Sequence, residues 1–152
     1  MIRVENITKS FDENEILKGI STEFKKGKTN LIIGQSGSGK TVFLKCLLGL
    51  FKIDSGNIRF EGKMLKEMNI EERSILRQEM GMVFQGSALF DSMSVEENIM
   101  FPMQMFTKKI DSEIRDRANI AIKRVNLINA NTKFPDEISG GMKKRVAIAR
   151  AI

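Results

Sequence analysis

Histidine, tryptophan and tyrosine are absent from this chain, cysteine occurs once and proline twice. Without histidine, and with a single thiol, metal sites built on several Cys or His side chains are excluded. The lone Cys46 cannot form an internal disulfide, which fits a reducing compartment. No apolar run approaches the ~18 residues that span a bilayer. The opening residues Met1-Ile2-Arg3-Val4-Glu5 contain no long apolar stretch, so no secretory signal is expected. What is present is ordinary for a folded chain: 152 residues, 41% apolar and 29% charged. That is one domain or part of a larger one, and too apolar for a disordered tail. Lys and Arg number 25 against 19 Asp and Glu, a net charge of +6. The charges are interspersed, and the densest basic cluster is only Lys143-Lys144-Arg145. With no Trp, no Tyr and no aromatic pattern for base stacking, nucleic acid is not an expected partner.

The first part of the chain reads as strands. Ile2-Arg3-Val4 alternates, and Ile16 to Phe24 mixes apolar and polar residues. Thr29-Asn30-Leu31-Ile32-Ile33 is a short apolar run bounded by glycine, the pattern of a buried parallel strand. A helix is expected from Thr41 to Leu50, closed by Gly49, then a strand at Asn57 to Phe60. Asn69 and Glu72 have capping-box spacing, predicting a helix over Ile70 to Gln78. Gly81-Met82-Val83-Phe84 is again strand-like. After Gly86 the pattern turns helical. Ser94 and Glu97 form a capping box, and Pro102 limits or bends the helix they open. Ile110, Ile114, Ala118, Ala121, Ile122 and Val125 recur at helical spacing, and a last helix runs from about Gly141 to the end.

Gly34-Gln35-Ser36-Gly37-Ser38-Gly39-Lys40-Thr41 matches G-x-x-x-x-G-K-[ST], with an apolar strand pattern before it and a helix pattern after it. Glycines allow the tight turn that aims successive N–H groups at phosphate. The helix adds its positive N-terminal end. Lys40 is expected to reach the β- and γ-phosphates, and the Thr41 hydroxyl to ligate Mg2+. Further on, Ile138-Ser139-Gly140-Gly141-Met142 sets two glycines and a hydroxyl at a helix start, a second place where N–H groups can meet an anion. Cys46, on the apolar side of the first helix, reads as a small buried hydrophobe.

The Ser139 to Met142 string, continuing as Lys143-Lys144-Arg145-Val146-Ala147-Ile148-Ala149-Arg150-Ala151, resembles the signature motif of ABC-transporter ATPases and the Arg-rich helix that follows it. The resemblance covers essentially all 152 residues. It implies an α/β fold, a P-loop NTPase of the ABC type, with an antiparallel β subdomain and a helical subdomain. It implies an ATP-binding core and β subdomain over 1–85, a helical subdomain over 86–140, and a signature helix over 141–152. It places Phe11 against the adenine ring and Gln85 on Mg2+ and the attacking water. Gly34 through Thr41 and Val42 then surround the nucleotide. Ser139, Gly140, Gly141 and Met142 act in trans on nucleotide held by a second copy.

The stretch from Phe84 and Gln85 through Asp91, Ser94 and Val95 to Glu97-Asn98-Ile99 looks like the Mla-type branch. That branch energises phospholipid or other lipid transport through an MlaE-like permease. The implied partners are a second ATPase subunit, a multi-pass membrane permease and a lipid-binding component. The implied location is peripheral, on the cytoplasmic face of the inner (plasma) membrane, with ATP and Mg2+ as cofactors. Alternatives from the residues are a generic ABC importer ATPase, another P-loop enzyme such as a small-molecule kinase, and a non-catalytic nucleotide-binding module. Val42 departs from the family pattern, where a second hydroxyl residue is common. The family's Walker B strand and switch histidine have no counterpart, since neither Asp12-Glu13 nor Asp136-Glu137 follows an apolar strand. The chain is therefore expected to be an N-terminal fragment, inactive alone.

Overall fold

In the computed structural model, which describes residues 1–152, the alternating N-terminal residues form β1 (Ile2–Phe11), paired antiparallel with β2 (Asn14–Phe24). β1 also pairs antiparallel with β3 (Ser55–Phe60), setting Val4 opposite Ile58 and Ile2 opposite Phe60. The two-residue β4 (Lys63–Met64) closes a sheet of order β2-β1-β3-β4. Val4, Ile7, Leu17, Ile58 and Phe60 are buried, and a register shift between Val4 and Ile7, with Asn6 at φ 48°, lets these two residues of unlike parity both be covered. α1 (Lys40–Leu47) buries Phe43, Cys46 and Leu47, and its Phe43 ring lies 6.2 Å from Phe24 of β2. α1 ends where Gly49 and Leu50 donate to the carbonyls of Cys46 and Lys45, a Schellman closure. α2 (Ile70–Gln78) opens with the expected capping box: Asn69 Oδ1 accepts from the Glu72 N–H, and Glu72 Oε2 accepts from the Asn69 N–H, both at 2.9 Å.

The chain divides into two compact units, Met1–Arg77 and Gln78–Ile152. The second is built from α3 (Val95–Phe106), α4 (Asp111–Arg124) and α5 (Gly140–Ala151). Ser94 caps α3, and Glu97 returns the bond, as the spacing predicted. Pro102 sits inside α3 without ending it. Helical periodicity delivers Val95, Ile99 and Met100 of α3, Ile114, Ala118 and Ile122 of α4, and Val146 and Ala149 of α5 to one core. Burying each large aliphatic side chain there contributes roughly 1.5–3 kcal/mol. Met103 packs on that core whereas Met105 is exposed, so the methionines after Gln85 split between core and surface. None of the chain's helices is long and apolar enough to cross a membrane.

Two expected strands do not form. Residues 29–33 run outside any ladder, with Leu31 and Ile33 81% and 85% exposed. Their composition is that of a buried parallel strand, but β1 to β4 pair only with one another. No strand of these 152 residues lies alongside to take up the backbone groups or cover the side chains. Gly81 to Phe84 likewise joins no sheet, leaving Val83 and Phe84 half-exposed. The sheet is therefore wholly antiparallel, and the P-loop is entered from a segment that belongs to no ladder. α1 also starts one residue earlier and ends three earlier than expected, at Lys40 and Leu47.

Candidate nucleotide-binding site

The P-loop begins as a turn in which the Ser38 N–H donates to the Gln35 carbonyl. Gly37 and Gly39 both take positive φ, 81° and 88°, a region costly for residues with a side chain. Gly39 is also the N-cap of α1 and lies close against β2. A Cβ there would stand 2.9 Å from Ile16 Cγ2 and 3.3 Å from the Ile16 carbonyl oxygen. The loop is thus glycine for conformation at Gly37, and for conformation and space together at Gly39. Lys40 folds back over the loop, its ammonium donating to the carbonyls of Gly34 and Gln35, both at 2.7 Å. Thr41 is exposed in the first turn of α1, with half-buried Val42 beside it. That turn carries no acidic residue, so the positive helix end and the Lys40 charge meet no internal counter-anion. Such an arrangement receives phosphate.

Phe11, at the end of β1, is 39% exposed and has a defined setting. Its ring meets Phe51 in a T-shaped pair at 5.2 Å, and the Lys9 ammonium lies 5.1 Å from its centroid. Lys9 in turn pairs with Asp54 at 2.9 Å. The Lys9 ammonium, and next the Ser10 N–H, hold the Asp54 carboxyl below its ordinary range. Phe51 and Lys9 carry no sequence signal for this role, because an apolar residue before a turn and a lysine on a strand are commonplace. Cys46 is fully buried, and burial raises its thiol pKa, which leaves it inert.

In the second unit Ser139 caps α5, its Oγ accepting from the Met142 N–H at 3.3 Å. Gly140 and Gly141 are exposed, and the first turn again has no acidic residue. Gln85 is exposed in a turn that closes through the Ser87 N–H to the Phe84 carbonyl at 3.0 Å. The P-loop and Phe11 therefore belong to the first unit, and Gln85 and Ser139 to Met142 to the second. Asp136 and Glu137 lie in a 3-10 turn after Pro135, where Glu137 accepts from the Phe134 N–H.

Asn98 has a structural role that its place in the sequence does not announce. It is fully buried; its Oδ1 accepts from the Phe90 N–H, and its Nδ2 donates to the carbonyls of Phe90, Met93 and Ser94. The available signal was a polar residue between Val95 and Ile99 on the apolar side of α3.

An antiparallel sheet, a glycine loop feeding a bare helix N-terminus and a second, helical unit with its own Ser-capped glycine start are the features of a P-loop domain. The particular family follows from comparison with known proteins: residues 17–152 match the family model described as ABC transporter. The chain belongs to that family, and the small-molecule kinase alternative falls away. It is 40% identical over 151 residues to a protein named "Probable ribonucleotide transport ATP-binding protein mkl" of Mycobacterium leprae, covering 99% of this chain and 44% of that protein. It is 39% identical to "Methionine import ATP-binding protein MetN" of Clostridium tetani, covering 100% of this chain and 48% of the relative. The chain thus spans somewhat less than half of these curated relatives. Among solved structures it superimposes on "Dimeric Structure of MJ0796, a Bacterial ABC Transporter Cassette" with a TM-score of 0.90 and 30% identity, covering 100% of this chain and 69% of the other.

Proposed function

We propose that the protein is the ATP-binding subunit of an ABC transporter, coupling ATP binding and hydrolysis to lipid or phospholipid movement through an MlaE-like permease. The observation that carries the nucleotide assignment is Lys40, whose ammonium spans the Gly34 and Gln35 carbonyls at an α1 N-terminus free of acidic residues. Gly34, Gln35, Ser36, Gly37, Ser38, Gly39, Lys40 and Thr41 cradle the phosphates, with Val42 behind them, and Phe11 stacks on the adenine. No group of three or more acidic or thiol ligands occurs in the chain. Thr41, exposed in the first turn of α1, and Gln85 are the residues that would hold Mg2+. Held there, Mg2+ would supply charge neutralisation at the transferring phosphoryl group. Lys40 and Gln85 are the catalytic residues this chain contributes, Lys40 by charge at the phosphates and Gln85 by orienting water.

Two copies bind ATP head to tail, the P-loop of one facing Ser139, Gly140, Gly141 and Met142 of the other. A solved structure described as dimeric supports the pairing of two copies, and the second bare helix N-terminus at α5 supports a role for the signature in it. The division of labour is an ATP-binding core and β subdomain over 1–85, a helical subdomain over 86–140 and a signature helix over 141–152. The assembly sits on the cytoplasmic face of the inner membrane, held by a multi-pass permease with a lipid-binding component. The lipid cargo rests on the Mla-like stretch from Phe84 to Ile99. Import of a small polar solute is the second reading, favoured by the relative named for methionine import.

Mixing Lys40→Ala and Ser139→Ala full-length chains tests the dimer. Heterodimers carry one crippled site and one of native composition, so mixing should recover ATPase activity that neither variant shows alone. Heterodimers that form without recovering activity contradict the trans arrangement. Co-purification decides the cargo: a permease with a lipid-binding partner supports the first reading, and a solute-binding protein with an amino-acid permease supports the second.

A further inference from the structure

The segment after Gln85 is held in a conformation that its own residues disfavour. Ser87 and Ala88 both have positive φ, 64° and 47°, although neither is glycine, Asn or Asp. Each left-handed non-glycine residue is unfavourable and persists only where its surroundings over-determine it. Such pairs concentrate at functional switches. Two side chains supply the determination here. Asn98 fixes the far end, with bonds to both the N–H and the carbonyl of Phe90. Arg150 fixes the near end: Nη1 donates to the Ala88 carbonyl at 2.8 Å and Nη2 to the Ser87 carbonyl at 3.0 Å. Its guanidinium also lies 5.9 Å from the Phe90 ring centroid, and Phe90 is itself packed on Phe101 at 4.8 Å. The planar fork meets the two consecutive carbonyls with two separate nitrogens held at a fixed spread, whereas a lysine would have to serve both from a single nitrogen at the end of a flexible stem.

Arg150 belongs to the last turn of α5, the helix whose first turn is Gly140-Gly141-Met142 behind the Ser139 cap. That helix runs unbroken over 12 residues, from Gly140 to Ala151. We infer that Arg150 is a positioning residue: by forking onto the Ser87 and Ala88 carbonyls it ties the signature helix to the strained turn behind Gln85, so that the two functional segments keep one register. This rests on the roles proposed for Gln85 and Ser139, and adds to them the link between the two. Two consequences separate it from general support of the fold. Losing the fork misplaces Gln85 without touching the P-loop, so turnover falls while nucleotide affinity does not. And a glycine at position 88, which adopts positive φ freely, compensates for the lost fork.

The test uses full-length protein with its permease, comparing ATP turnover and KM across Arg150→Met, Arg150→Lys, Arg150→Met with Ala88→Gly, and Gln85→Ala. Arg150→Met is expected to lower kcat roughly ten- to a hundredfold, the scale of losing charge-assisted bonds, with KM for ATP changed by less than about twofold. Arg150→Lys is expected to retain the charge yet fall in the same direction, and it carries the experiment should the Met variant fail to fold. Ala88→Gly is expected to restore roughly fivefold in the Arg150→Met background. A Gln85→Ala defect alongside normal kcat in both Arg150 variants overturns the inference. So does a loss expressed only in KM, or a loss that Ala88→Gly leaves unrepaired. Unchanged turnover in Gln85→Ala instead overturns the underlying site assignment.

Discussion

Replacing Gly39 by alanine, with Gly37→Ala as its companion, isolates the close approach of the P-loop to β2. The two glycines share nearly the same backbone, φ 88° and 81°. Both variants therefore pay the left-handed penalty of about 1–2 kcal/mol. Both also recover about 0.4–1 kcal/mol from the stiffer unfolded chain. They differ in space. A Cβ at Gly37 meets nothing within 4 Å, whereas at Gly39 it meets Ile16 Cγ2 at 2.9 Å, Leu17 Cδ2 at 3.2 Å and the Ile16 carbonyl oxygen at 3.3 Å. Ile16 is β-branched and stiff at χ1, and its carbonyl belongs to a paired strand, so the neighbours yield little. Overpacking of this kind costs about 1–3 kcal/mol. Gly37→Ala should thus lose about 0.5–1.5 kcal/mol and Gly39→Ala about 2–4 kcal/mol. In urea, with a slope near 2 kcal/mol per M, the two midpoints should stand about 0.5–1.5 M apart. Gly39→Ala should also weaken ATP binding, since the loop can relieve the clash only by moving away from β2. Coincident midpoints would refute the packing argument and leave only the backbone term.

Asn98→Ala should destabilise the helical unit by about 2–4 kcal/mol, because it strips four hydrogen bonds from a fully buried site and orphans the Phe90 N–H; denaturant unfolding followed by helical circular dichroism measures it, and a loss under about 0.5 kcal/mol would contradict it. Ile114→Ala, in the core of α4, should cost about 2–5 kcal/mol in the same assay, and tolerance of the change would contradict that burial. Acid should destabilise the fold in a defined direction. The carboxyls of Asp54, Glu72 and Glu97 are held below their ordinary range, by Lys9, Lys63 and the Ser94 N–H respectively. Their contribution is therefore present above the unfolded carboxylate pKa of about 4 and is lost as pH falls through the lowered native values. Lys9→Met should reduce the acid-sensitive part of the unfolding profile, and an unchanged profile would remove Asp54 from the account.

Local signals in the sequence translated directly into structure where a few neighbouring residues settle the outcome. The Asn69–Glu72 and Ser94–Glu97 boxes fixed where α2 and α3 begin, because a cap needs only four consecutive residues. The P-loop was legible for the same reason, and its glycines occupy backbone that its turn demands. Thr29 to Ile33 and Gly81 to Phe84 carry the strand pattern but join no sheet, because a strand is a property of its neighbours. Apolar composition says that a segment would be covered, and not which ladder covers it. The Arg150 fork and the Asn98 clamp were illegible for a related reason. Arg150 reaches residues 62 and 63 positions away, and no pattern along the chain announces which carbonyls will need a donor. The setting of Phe11 among Phe51, Lys9 and Asp54 likewise joins three separated segments. Family membership supplied the expected role of Phe11, and packing supplied the side chains that hold it.

The most direct test of the central claim is the affinity of full-length protein for ATP with Mg2+, measured by titration calorimetry for the parent and for Lys40→Ala. On the proposed reading the Lys40 ammonium, held over the loop by the Gly34 and Gln35 carbonyls, would supply a charge-assisted contact of about 1.5–3 kcal/mol to phosphate. The variant should bind roughly ten- to a hundredfold more weakly. Equal affinity in parent and variant would contradict the assignment of residues 34–41 as the phosphate cradle, and with it the account of this protein as an ATP-driven transporter subunit.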